Sequence, residues 1–176
     1  VVPSKEVMAK RKETLNNARL YSQSVLSFRL PQKMQMTYML DQKINNIVWQ
    51  ARWEKLFSKV FQNLEPYGLF VFDIYLWHYF EHTQKQSSDL VLTDQEAVIS
   101  SWKEKKWIYD CKITSFNKTE EELYTRRDFV QSYQTFTIPQ IKKMLHEFAE
   151  VRVLDWKGRK QSKKLDHYVV VAQKGW

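Results

Sequence analysis

The chain has 176 residues, 43% of them hydrophobic and 15% aromatic, which suits one globular domain with a packed core and excludes a disordered chain. A formal charge of +8 predicts attraction to RNA, an acidic partner or an anionic small molecule, or else a solvated lysine-rich surface. Three glycines, Gly68, Gly158 and Gly175, exclude a phosphate-cradling loop of the G-x-G-x-x-G or Walker type, and one cysteine, Cys111, excludes an internal disulfide and a Cys-rich zinc site.

Ser4 precedes K-E-V-M-A-K-R-K-E and is the expected N-cap of a first helix ending near Leu15. Asn16-Asn17 breaks that pattern, and Ala18–Gln23 and Met34–Leu40 read as short strands. Trp53, Leu56, Phe57, Val60, Phe61 and Leu64 recur at helical spacing and predict an amphipathic helix. That helix runs into the Pro66–Gly68 turn and then into the apolar strand Leu69–Ile74, which contains Asp73. Helix, tight turn and buried strand in this order predict an α/β sheet covered on both faces. Trp107, Tyr109, Cys111 and Ile113 alternate with polar residues as in a half-buried strand, and Glu122–Tyr133 runs back as a second. Together they predict an antiparallel insertion over about 89–135. Thr137-Ile138-Pro139-Gln140 has capping-box spacing and opens a helix carrying Ile141, Met144, Leu145 and Phe148 inward. Val151–Trp156 and His167–Ala172 then close the chain as two strands joined by a basic loop. No repeat or linker interrupts the sequence, so residues 1–176 are read as one domain. No apolar run approaches the roughly 20 residues of a membrane span, and the charged first helix is unlike a secretory signal. A cytoplasmic location without membrane attachment is expected.

In wording and order these segments resemble class I S-adenosylmethionine (SAM) dependent methyltransferases, particularly the small bacterial type with an antiparallel insertion before the last helix. Leu64–Tyr75, L-E-P-Y-G-L-F-V-F-D-I-Y, resembles the family's L-K-P-G-G, hydrophobic strand and Asp. Val2-Pro3-Ser4…Val7-Met8 resembles V-D-x-S-x-x-M at the end of the second strand. Gln23–Phe28 stands where Q-G-D precedes a loop, and Met39–Asn46 where the fourth strand opens toward substrate. Tyr168–Lys174 is similar to the terminal F-V-A-Q-K strand. The resemblance implies a Rossmann-like, mixed sheet with a terminal antiparallel strand pair, lacking its usual first strand and carrying the antiparallel insertion.

The departures from the family fall at its cofactor contacts. Val2 replaces the acid that binds the ribose hydroxyls, Val25 replaces the Asp that meets the adenine amino group, and Ser24 replaces the glycine before it. Gln35 stands for the first acid of the fourth strand, and Tyr67 for a turn glycine. The family's glycine loop and first strand would precede Val1. Val2, Ser24, Val25 and Leu40 are thus read as vestigial cofactor positions, so the isolated chain is expected to bind no cofactor, and SAM only if the loop is supplied.

Asp41 and Asp73 would lie at the C-terminal ends of neighbouring strands, where ligands bind in such sheets, and with Asn45, Tyr75, Tyr79 and Tyr133 are candidates to line a substrate pocket. A structural role, capping the turns after each strand, is an equal alternative for both acids. His78–His82 matches H-x-x-E-H, but lacks a recognisable third ligand, so no metal site is predicted. His146 and His167 read as structural, on a helix and a strand, and Cys111 as a buried thiol. Lys157, Arg159, Lys160, Lys163 and Lys164 form the densest basic patch. The first functional reading is a degenerate methyltransferase that partners a competent subunit or a second copy of itself. The alternatives are an active small-molecule methyltransferase whose cofactor loop comes from another segment or chain, and a basic RNA-binding module on the same fold.

Overall fold

A computed structural model describes residues 21, 23–85, 89–119, 123–155 and 166–176. The expected helix from Ser4, Val2 and the five basic residues from Lys157 to Lys164 lie outside these residues. Most of the expected strand Ala18–Gln23 does too, and Tyr21 and Gln23 are not in a strand.

Strand β1 (Met34–Met39) leads through a 3-10 turn (Lys43–Asn46) to helix α1 (Gln50–Asn63), strand β2 (Leu64–Tyr75) and helix α2 (Trp77–Lys85). Strands β3 (Asp89–Leu92), β4 (Glu96–Lys105), β5 (Ile108–Lys118) and β6 (Tyr124–Gln134) follow, then helix α3 (Ile138–Met144) and strands β7 (Glu150–Asp155) and β8 (His167–Gln173). The first sheet has the order β1-β2-β8-β7, with β1 and β2 parallel and the last two strands antiparallel. The second, β3-β4-β5-β6, is antiparallel throughout. This is the mixed sheet with terminal antiparallel strands and the inserted antiparallel sheet that the sequence predicts. Among the described residues β1 is paired on one side only.

Three expectations need correction. The insertion contains four strands rather than two, because β4 is exposed at most positions and so lacks a strong apolar alternation. His146 lies in the turn after α3, not on the helix. The first sheet is not buried evenly on its two faces. Phe70, Phe72 and Ile74 are fully buried in the core shared with α1 and α3, whereas Met36, Tyr38 and Leu40, which alternate along the opposite face, are exposed.

The buried stripe of α1, Trp53, Leu56, Phe57 and Val60, follows from its 3.6-residue spacing. Trp53 is fully buried because its indole Nε1 donates to Ile47 O at 2.6 Å, which satisfies the one polar atom the ring carries. At the other end of α1, Lys174 Nζ donates to Phe61 O and Leu64 O at 2.8 and 2.9 Å, adding to the bond that Phe61 O accepts from Leu64 N at the helix end. Burial, with Lys33 nearby, holds that amine below its usual pKa. The entry to β2 is tight. Tyr67 has φ 60°, and a Cβ on Gly68 would stand 2.9 Å from Glu65 O, so only glycine fits there. The capping box of α3 is present, with Thr137 Oγ1 accepting from Gln140 N and Gln140 Oε1 accepting from Thr137 N.

The insertion is fastened to α2 by rings. Phe80 stacks on Tyr109 at 4.8 Å and faces Tyr133 at 5.7 Å and Trp102 at 6.2 Å. Burial, reinforced by Glu104 and Glu81, pushes the Tyr109 phenol up to about 12 from 10.0. A raised folded-state pKa favours the protonated fold, so this stabilisation is complete below pH 10 and is lost as the pH rises toward 12. Alkaline unfolding should therefore set in over that range and be postponed in Tyr109→Phe, as followed by circular dichroism with phenolate absorbance.

Candidate functional site

Parallel strands β1 and β2 end side by side, and the chain turns there in a conformation that most residues avoid. Asp41 and Gln42 have φ of 61° and 51°. Asp73 holds this turn. Its Oδ1 accepts from Gln42 N and its Oδ2 from Gln42 Nε2, both at 3.0 Å. His167 Nε2, on β8, reaches the same Oδ2 at 3.0 Å. The Asp73 carboxylate thus meets three groups from the turn and from β8.

Asn45 makes the second clamp. It is fully buried and accepts from Tyr75 N at 3.0 Å while its Nδ2 donates to Tyr75 O at 3.1 Å and Gln134 O at 2.9 Å. Thr135 Oγ1 adds a bond to Tyr75 O at 2.8 Å. These bonds tie the end of β2 to the end of β6, so the inserted sheet is set at a fixed place over the strand ends.

A cavity of about 380 Å³ lies between them. The turn supplies Asp41, Gln42, Lys43 and Asn46; β2 and α2 supply Tyr75, Tyr79 and Phe80; the inserted sheet supplies Trp102 and Tyr133. Tyr75 and Tyr79 stack at 3.7 Å, and Trp102 and Tyr133 lie 5.5 Å apart. Burial raises the pKa of Tyr75, helped by Tyr79 and Asp73, and that of Tyr133, helped by Cys111 and Tyr79, so both phenols stay neutral near pH 7. Asn46 carries the one buried side-chain oxygen without a hydrogen-bond partner among the described residues. A second, more apolar hollow of about 250 Å³, lined by Trp77, Trp107, Phe136 and neighbouring Gln and Thr side chains, contains no charged group.

Of the six pocket residues expected from the sequence, Asp41, Tyr75, Tyr79 and Tyr133 line this cavity. Asp73 and Asn45 are not among its lining residues and instead brace the elements that form it. The two acids are therefore not a working pair, since Asp73 is bonded to Gln42 and His167 rather than facing Asp41. Gln42, Asn46 and Trp102 were missed because nothing local marks them. Phe80 was read only as part of the H-x-x-E-H pattern and His167 only as structural. His78, on α2, packs against Trp77, and among the described residues no group of three or more potential metal ligands comes together.

The vestigial cofactor positions offer little to hold SAM. Ser24 Oγ accepts from Leu26 N within a local turn, and Val25 and Leu40 are exposed apolar side chains. Val25 and Leu40 thus offer no acceptor for a ribose or an adenine amino group. No helix among them is long and apolar enough to cross a membrane.

No protein-family model and no curated protein matches this sequence. Solved structures match its fold closely. A SAM-dependent methyltransferase from Clostridium acetobutylicum superposes with a TM-score of 0.84 at 16% identity, over 98% of this chain and 73% of that one. The sugar N-methyltransferase KedS8 from Streptoalloteichus gives 0.75 at 13% identity, over 98% and 69%. SAM-bound CalS10, an amino pentose methyltransferase from Micromonospora echinaspora, gives 0.67 at 15% identity, over 97% and 71%. The chain has the class I methyltransferase fold. At these identities the likeness establishes the fold and leaves the chemistry to the site.

Proposed function

We propose that this chain forms the acceptor-binding side of a SAM-dependent methyltransferase, with the strand and loop that carry the cofactor supplied by another segment or by a partner chain. The observation that carries this reading is the cavity at the C-terminal ends of β1 and β2, the place where open α/β sheets bind ligands, closed by the inserted sheet. The edge of β1 adds support. A strand laid there would pair its backbone groups, and a partner's covering layer would bury Met36, Tyr38 and Leu40. The sugar and amino pentose acceptors named for KedS8 and CalS10 are small polar molecules, of the kind that a cavity of about 380 Å³ accommodates. The described residues do not fit SAM on their own, so no reaction step through the cofactor is assigned to them.

A second reading has its own support. Val25 has no polar side-chain atom and Ser24 Oγ is engaged locally, as expected of a degenerate methyltransferase that serves as a regulatory subunit or self-associates. One experiment separates the two. SAM and S-adenosylhomocysteine are titrated calorimetrically into the chain alone, then into the chain mixed with a polypeptide carrying a class I first strand and glycine loop, with mass in solution followed in parallel. The first reading expects no binding by the chain alone, with binding and methyl transfer gained in the mixture and abolished by cavity substitutions. Transfer that survives those substitutions favours the regulatory subunit. Saturable binding of SAM by the chain alone overturns both.

A further inference from the structure

We infer that the cavity selects an acceptor carrying a protonated amine or a methylated ammonium group, a conclusion that rests on reading the cavity as the acceptor site. Its fixed walls are electron-rich. Tyr79, Phe80, Trp102 and Tyr133 all line it, and aromatic rings attract cations through the quadrupole of their faces. Burial holds the Tyr133 phenol neutral, so it acts as a ring rather than as a phenolate.

The polar atoms of the cavity favour the same ligand. Asp41 brings a carboxylate. Gln42 gives one N–H of its Nε2 to Asp73 and keeps its amide oxygen as an acceptor. Both side chains can accept from an ammonium N–H or a neighbouring hydroxyl. Lys43 is the one opposing charge on the wall; it is exposed, and its flexible stem lets the ammonium turn out to water while the rings stay in place.

Choline and its uncharged isostere 3,3-dimethylbutan-1-ol have the same shape and differ in charge, so they probe the assignment directly. Both are titrated into the full chain, with the Trp102 indole resonance followed by NMR. Choline should bind in the millimolar range, and the alcohol should bind at least about tenfold more weakly. Trp102→Leu should remove most of that preference. Asp41→Asn should weaken choline about threefold without disturbing the turn, because Asn tolerates a left-handed conformation. If Trp102→Leu fails to fold, Asp41→Asn together with the charge preference of the unmutated chain still decides the matter. Equal binding of the two probes overturns the amine assignment and leaves a neutral acceptor cavity. Binding of neither also overturns it, and the reconstitution described above then judges the methyltransferase reading on its own terms.

Discussion

Asn45→Ala is expected to destabilise the fold by about 2–4 kcal/mol, because it strips partners from three buried backbone groups at once. Tyr75 N and Gln134 O would be left without the amide that bonds them, while Tyr75 O would keep only the Thr135 hydroxyl. For a chain of this size that corresponds to a loss of roughly 5–15 °C in the unfolding midpoint. Asn45→Asp isolates the cause. It keeps the volume and can still accept from Tyr75 N, but it sets a carboxylate oxygen against two carbonyls, so it should be no more stable than the alanine variant. A near-native midpoint for Asn45→Asp would show that volume rather than hydrogen bonding matters at this position. Because Asn45 joins β2 to β6, the loss should also loosen the inserted sheet, visible as faster amide exchange in β6 than in β7.

Asp73→Ala should act on the site more than on the core. It removes the acceptor for Gln42 N, Gln42 Nε2 and His167 Nε2, at a cost of about 1–3 kcal/mol for the groups left unpaired. The turn at Asp41–Gln42 is held in left-handed backbone that neither residue favours, so without Asp73 it should relax. Asp41, Lys43 and Asn46 leave their places in the cavity wall when it does. Affinity for any cavity ligand should fall about tenfold or more, and the Gln42 amide should lose its protection from exchange. Asp73→Asn can keep one acceptor for Gln42 N, but it presents an amide to the other two donors, so it should recover only part of the affinity. Full recovery would mean that shape, not charge, holds the turn.

Much of the fold is legible along the chain because its signals are local. The spacing from Trp53 to Phe61 gives α1, the apolar run Leu69–Ile74 gives the second half of β2, whose first half takes in the P-Y-G expected as a turn, and T-I-P-Q gives the start of α3. The two early strands of the insertion are not legible in this way. Their described residues are mostly exposed, and their place is set by pairing, β3 with β4 and β4 with β5, rather than by their own pattern. The site is half legible. Asp41, Tyr75 and Tyr133 follow from lying at or near strand ends and Tyr79 from the helix after β2, but Asn46, in the 3-10 turn, and Trp102, in the inserted sheet, meet only after the insertion folds over.

The sequence by itself determines the buried stripe of α1, the apolar run of β2, the capping box of α3 and the residue types at the strand ends, because each depends on composition or on neighbours within a few positions. Tertiary structure alone decides that Asp73 serves the Gln42 turn rather than the cavity, that His167 is its partner from β8, and that Trp102 and Asp41 line one cavity. Those roles are set by contacts between residues that lie 31 to 94 positions apart for Asp73 and its two partners. Hydrogen bonds and ring contacts act over a few ångströms in space, whatever the distance along the chain, so no local pattern encodes them.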